Sequence, residues 1–481
     1  MSKRFRLTKA SKILIVFLIV ALIGGGVFAG LKTGFIKTKT AASSDAKENV
    51  VAANKDTSSN SGTSSSENST KKTDGDTTIN LSLDEWTGWK SIIDGNQGLT
   101  TQPGSIYDKL GIKVNINIIN DATQSSNALI KGDLNAAGYT INRTAFLSQK
   151  FTDAGKEVVM PFITNYSNGG DGIIAKSSIQ SVNDLVGAKI GVPEFSEAQT
   201  LVVWFVNNSD LSDEQKSEII DNLVLFSTAD DTAKAFFAGQ VDVAATWEPY
   251  LTQAQNMTDA HVLFSTASST NLVMDGILFD KEFAEAHPDV VEKFIQGALE
   301  ASSMYDTEFD AVREVMPMFN TASDEDIIAS TKTAKLTTWK DNSDLLNGTA
   351  KTIYSDMCNV WTSIGESVNA SLVDAIFDDT YIDAIADNFN TTEVSNTETV
   401  KVTEENKQTI EDTQALLSGS ASVTFEKNTA KFSDSASASE ELDKFINIAK
   451  VLDGAIIEIA GNTDPNPNSD PLDEYNKKLS L

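Results

Sequence analysis

Two stretches of this 481-residue chain lack the apolar residues that a core requires. Residues 38–77 are mostly Ser, Thr, Asn, Lys and Asp, as in "NKDTSSNSGTSSSENSTKKTDGD", and residues 390–418 begin "NTTEVSNTETVKVTEENKQ". Segments of this kind bury too little apolar surface to offset their ordering entropy, so both are expected to be linkers. Folded structure is thereby confined to residues 78–388 and to a short module at 419–481. An apolar run at residues 13–31 stands apart from both.

That run, "ILIVFLIVALIGGGVFAGL", is uncharged and just long enough to cross the hydrocarbon core of a bilayer. Lys3, Arg4, Arg6, Lys9 and Lys12 precede it, and Lys32, Lys37 and Lys39 follow. The bias predicts a single-pass anchor in the cell membrane, with residues 1–12 cytoplasmic and the globular part extracytoplasmic. The alternative is a signal peptide cleaved after Val27-Phe28-Ala29. A lipid anchor would need a cysteine just after the run, and the single cysteine is Cys358. The polar tract after the anchor would act as a tether with a root-mean-square span of roughly 35 Å.

The formal charge is −30, although residues 1–40 contain only basic charges. The remainder is therefore strongly acidic and repels nucleic acid and anionic lipid. One cysteine allows no internal disulfide, and Cys358 in "YSDMCNVW" is expected to be a small core residue. His261 and His287 are the only histidines, too few and too far apart for a transition-metal site. Neither a Ser/His/Asp nor a Cys/His grouping is present, nor a glycine-rich phosphate loop of standard spacing, so no cofactor and no catalysis are expected.

From residue 78 the pattern alternates. "TINLSLDEW" and "IKVNINIIN" read as strands, followed at intervals by "GDGIIAK", "AKIGVP" and "NLVLFST". Amphipathic stretches such as "SEAQTLVVWFVNN" lie between them. "DDTAKAFFAGQVDVAATWEPYLTQA" reads as a capped helix, a turn at Gly239, a short strand and a loop opening another helix. This is an α/β layout. The tail, "SASVTFEKNTAKFSDSASASEELDKFINIAKVLDGAIIEIAGNTD", reads as strand, loop, Ser-initiated helix and second strand.

Three segments together resemble the solute-binding proteins of ABC importers in the sulfonate/nitrate/thiamine-precursor group. They are "GGDGIIAKSSIQSVNDLVGAKIGVPEFSEAQTLVVWF", "TAKAFFAGQVDVAATWEPYLTQA" and "FAEAHPDVVEKFIQGALEA". The resemblance implies a two-lobed periplasmic-binding-protein type II fold over residues 78–388, with a second lobe at about 172–274. It further implies hinge crossings near Gly170-Asp171-Gly172 and Met274-Asp275-Gly276, a small-molecule solute between the lobes, and permease and ATPase partners. The tail resembles a small α+β OmpA-like domain through "GNTD" (Gly461–Asp464) and "NKKLSL" (Asn476–Leu481). That resemblance implies peptidoglycan binding through Asp464. Asn462 replaces the family's His, the loop is longer, and the family's arginine has no counterpart among these residues.

Ligands of open α/β sheets sit outside the carboxyl ends of strands. Trp86, Thr87 and Trp89 follow the first strand, and Trp247-Glu248 follow a strand of the second lobe, so the three tryptophans are expected to form a stacking cleft. Trp204, Trp339 and Trp361 lie in helical patterns and are expected in the core. Thr140 and Asn142 can offer hydroxyl and amide groups, and Ser196 and Gln199 open a helix whose N–H groups could hold an oxyanion. Asp275 is placed to meet a ligand amine. Arg143 is one of two arginines in the lobes, with Arg313, and would suit a sulfonate or phosphate. Against it stand Glu248, Asp275 and Asp84, which with aromatic faces suit a cationic or heteroaromatic solute. The expected function is solute capture for import. The alternatives are an enzyme of the same fold acting on a pyrimidine-like molecule and a wall-associated sensory binding protein.

Overall fold

The computed structural model describes residues 2–8, 77–389, 415–424, 426, 431–452 and 457–462. Its strands are β1 (Ser2–Thr8), β2 (Ile79–Leu83), β3 (Val114–Ile118), β4 (Ala136–Thr140), β5 (Val158–Ser167), β6 (Asp171–Lys176) and β7 (Ile190–Pro193). They continue with β8 (Val224–Phe226), β9 (Val243–Trp247), β10 (Ala260–Ser265), β11 (Met274–Asp280), β12 (Ala334–Leu336), β13 (Ala415–Ser422) and β14 (Ile457–Asn462).

Two sheets make two lobes. The first has the order β12-β5-β11-β4-β2-β3 and the second β10-β6-β9-β7-β8. β2, β3 and β4 pair in parallel, as β7 does with β8 and β9, each joined by helical crossovers. β5 is buried along its whole length, as a central strand covered on both faces should be. Helices close the layers: Pro288–Ala301 carries Val291, Phe294, Ile295 and Ala298 on the spacing of one helix face, all buried.

The chain leaves the first sheet after Ser167 and enters the second at Asp171; it returns between Ser265 and Met274. Each crossing leads into an Asp-Gly step, Asp171-Gly172 and Asp275-Gly276, and the glycines have a steric reason. A Cβ on Gly172 would come 2.5 Å from the Phe264 carbonyl, and one on Gly276 would come 2.8 Å from the Phe162 carbonyl. Only glycine lets the neighbouring strand approach this closely.

A third helix layer ties the lobes together. Helix Ala350–Ser363 packs on helix Ile141–Asp153 of the first lobe and Glu197–Asn207 of the second. Trp361 is buried there, and its indole N–H donates to the Asn142 carbonyl at 2.9 Å. Trp204 and Cys358 are likewise buried, while half-buried Trp339 donates to the Ile382 carbonyl.

The ends of the chain meet. β1 is the middle strand of an antiparallel sheet, β13-β1-β14. Helix Ser435–Val451, capped by Asp434, accompanies that sheet, and its Val451 carbonyl accepts the Ser269 hydroxyl of the return crossing at 2.7 Å. This pairing differs from the expectation of a cytoplasmic N-terminus. If residues 13–31 crossed a bilayer, β1 would lie on the opposite side from β13 and β14. No described helix is long and apolar enough to cross a membrane. The apolar run itself, the first tract up to residue 76 and Asp464 fall outside the described residues.

Candidate functional site

The strand ends of the two lobes face each other across a cavity of about 430 Å³. β2 ends at Leu83 and delivers Asp84 to Thr87; β4 ends at Thr140. β11 runs the other way, so its first residues share that edge, and Asp275 pairs with both Thr140 and Asn165. From the second lobe, β6 begins with Asp171 directly opposite Trp247 at the end of β9. All of these reach the cavity wall except Asn165, which holds Trp86 from behind.

The tryptophans divide. Trp86 is half-buried, donates its indole N–H to Asn165 Oδ1 at 3.0 Å and lies against Gly170, where a Cβ would come within 2.6 Å of the ring. Trp247 is 39% exposed and offers its ring to the cleft from the other lobe. Trp89 departs from expectation: it is 1% exposed and packed in the core. The short 3-10 turn Thr87–Trp89 rotates it inward, where its N–H donates to Asp84 Oδ1 at 2.6 Å. It therefore supports a cleft carboxylate and does not line the cleft. Thr87 does line it, and its hydroxyl oxygen is buried without a hydrogen-bond partner.

Arg143 reaches the cavity but is engaged. Its guanidinium holds Glu197 of the other lobe through Nη2–Oε2 at 3.0 Å and Nε–Oε1 at 3.2 Å. Thr140 donates its hydroxyl to Glu197 Oε1 at 2.8 Å while accepting the Arg143 N–H as a helix cap. The guanidinium and these hydrogen bonds outweigh the burial of Glu197 and hold its carboxyl below the usual range. The pair also joins the lobes, together with the Asn142 Nδ2–Thr200 Oγ1 bond at 2.8 Å and the stacked rings of Phe146 and Phe195 at 5.2 Å.

The helix start expected to hold an oxyanion is self-satisfied. Ser196 Oγ accepts the Gln199 N–H and donates to the Pro193 carbonyl. Gln199 Oε1 accepts the N–H of Phe195, which sits at φ 54°, an unusual conformation for a bulky residue. Ser196 and Gln199 thus hold that turn, and Asn142, 1% exposed, holds the seam between lobes; none of the three lines the cavity. Glu248 does, but Thr252 occupies both its oxygens, by N–H at 3.1 Å and hydroxyl at 2.9 Å.

What remains free is acidic. Asp275 is 3% exposed, and its Oδ2 has no hydrogen-bond partner. Burial first, and then the carboxylates of Asp84, Glu197 and Asp171, push its carboxyl well above the ordinary value. Asp171, 7% exposed, accepts only the Ser167 hydroxyl at 2.7 Å on its side chain, and burial pushes it up to about 7. Asp84 is raised by the same desolvation, less consequentially because it is accessible from the cleft. Asp171, which the sequence placed only at a crossing, is an addition to the site. The signal for Asp171 was present: it opens a strand after a crossing, as Asp275 does. Among the described residues, no grouping of His, Cys, Asp or Glu has the geometry to hold a metal ion.

Two α/β lobes joined by paired crossings, with a cavity of mixed polar and apolar lining between facing strand ends, define a bilobal binding-protein architecture. Residues 105–305 match the family described as NMT1/THI5 like. The periplasmic aliphatic sulphonate binding protein SsuA of Escherichia coli is similar in structure, at 15% identity and a TM-score of 0.48, over 63% of this chain and 98% of that one. The periplasmic nitrate-binding protein NrtA of Synechocystis PCC 6803 is similar at 12% identity and a TM-score of 0.47, over 65% and 89%. The Candida albicans CA3427 gene product, described as having the generic periplasmic binding protein fold, is similar at 12% identity and 0.42, over 66% and 97%. Among curated proteins, none matches the sequence.

Proposed function

We propose that residues 77–389 are an extracytoplasmic solute receptor that closes on a small organic molecule and hands it to an ABC permease and its ATPase. The observation that carries this reading is the cavity itself: Trp86 and Thr87 from one lobe face Trp247 from the other, and Asp171 and Asp275 stand at the two crossings on which the lobes would turn. A ligand touching both lobes stabilises the closed form by its differential contacts. The family match over residues 105–305 supports the same reading. In this proposal the C-terminal module associates with peptidoglycan.

The test is a thermal-shift screen of small metabolites on the full chain. A ligand at a hundredfold over its dissociation constant adds about 2.7 kcal/mol. Hits are expected to quench Trp247, which lines the cavity. A screen in which no compound stabilises the protein refutes receptor function.

A further inference from the structure

Of the carboxyl groups around the cavity, two already have hydrogen-bond partners on both oxygens. Glu197 is bound by Arg143 and Thr140, and Glu248 by Thr252. The guanidinium that an oxyanion would need is bound in turn by Glu197. Asp275 and Asp171 are different. Both are more than nine-tenths buried, both line the cavity, and Asp275 Oδ2 has no partner. A buried polar oxygen without a partner is costly unless a ligand satisfies it. Trp86 and Trp247 line the same space, and aromatic rings attract cations.

Building on the receptor reading, we propose that this cleft selects by charge: its solute is a small organic cation whose ammonium or amidinium N–H groups are received by Asp275 and Asp171, with the apolar remainder between Trp86 and Trp247. The Arg143–Glu197 pair disfavours sulfonates and other oxyanions, because an anion would have to displace a carboxylate already bound by the guanidinium.

Capture then exchanges protons for the cation. The carboxylates of Asp84, Glu197 and Asp171 act on Asp275, as do the Trp86 indole N–H and Tyr305, and Glu85, Tyr139, Glu248 and Arg143 line the same cavity. Burial raises both carboxyls, Asp171 to about 7, so near neutral pH Asp171 retains part of its proton. A bound cation favours the ionised carboxylates, so protons leave as it enters, and affinity rises with pH through 7.

The experiment uses the full chain and three probes that share a ring: benzylamine, neutral benzyl alcohol and benzenesulfonate. Binding is read by calorimetry in two buffers of different ionisation heat. Benzylamine is expected to bind at least tenfold more tightly than either other probe, with net proton release at pH 7. Asp275→Asn should remove that preference and reduce the protons released, and Asp171→Asn should do the same in part. Benzenesulfonate binding more tightly than benzylamine overturns the charge assignment while leaving a functioning receptor. Equal binding of the three probes, or binding by none, also overturns it; whether receptor function survives is then decided separately by the metabolite screen. Benzylamine binding without proton release overturns the exchange.

Discussion

Removing the Arg143 side chain should open the ligand-free protein. In the structure Arg143 and Glu197 join the lobes by three guanidinium–carboxylate contacts, with the side chains 23% and 15% exposed. A fully buried pair broken on one side costs about 3–5 kcal/mol, whereas an exposed pair is worth less than about 1. This pair lies between those limits, at about 2 kcal/mol, or roughly a thirtyfold change in the closed-to-open ratio. The other seam contacts are of the same order: the Asn142–Thr200 hydrogen bond is worth about 0.5–1.5 kcal/mol and the Phe146–Phe195 stack about 0.5–1.5. Arg143→Ala should therefore populate the open form, read by small-angle scattering as a larger radius of gyration without ligand. Acid should do the same to the natural protein. Because the Glu197 value is depressed, the contribution of the pair is complete above the ordinary carboxylate range and is lost as pH falls through that depressed value. Superimposable scattering curves for Arg143→Ala and the natural protein at pH 7 would refute the latch.

Two of the three tryptophans expected to line the cleft should respond differently to truncation. Trp89→Ala should lower stability by about 3–5 kcal/mol in thermal or denaturant unfolding, whereas Trp247→Ala should unfold normally but lose affinity by about 1–3 kcal/mol, by analogy with base–aromatic stacking. The position of β1 can be read by labelling Ser2→Cys in intact cells with an impermeant maleimide, since Cys358 is buried. Labelling is expected if β1 pairs with β13 and β14, and protection is expected if residues 13–31 hold the N-terminus in the cytoplasm.

Local features of the fold were legible because they are written in neighbouring residues. Alternation in "IKVNINIIN" marks β3, and "DDTAKAFFAGQVDVAATW" gives the capped helix, the Gly239 turn and β9 in order. The strand-end rule led to Trp86, Thr87, Thr140, Trp247 and Glu248, and the hinge and charge arguments led to Asp275 and Arg143; all of these line one cavity. The rule could not supply side-chain direction. One turn of 3-10 helix separates Trp86 at the cleft from Trp89 in the core. Nor could it show which polar groups are already engaged. Arg143 and Glu197 are 54 positions apart and on different lobes, so their pairing depends on how the lobes meet. Thr252 reaches Glu248 from one helical turn away, a cap that the cleft reading of that glutamate overlooked. The sheet joining β1 to β13 and β14 is likewise a tertiary pairing with no local signature.

The two Asp-Gly steps place charge and motion on adjacent atoms. At each crossing the aspartate faces the cavity, and the glycine beside it sets how closely the next strand can approach. On the proposed reading, the protein has no separate sensor and actuator. Recognition of the cargo's charge and the turning of the lobe occur within one dipeptide, repeated twice. A permease meeting this receptor would need to distinguish only two shapes, because the chemistry has already been converted into shape at the hinge.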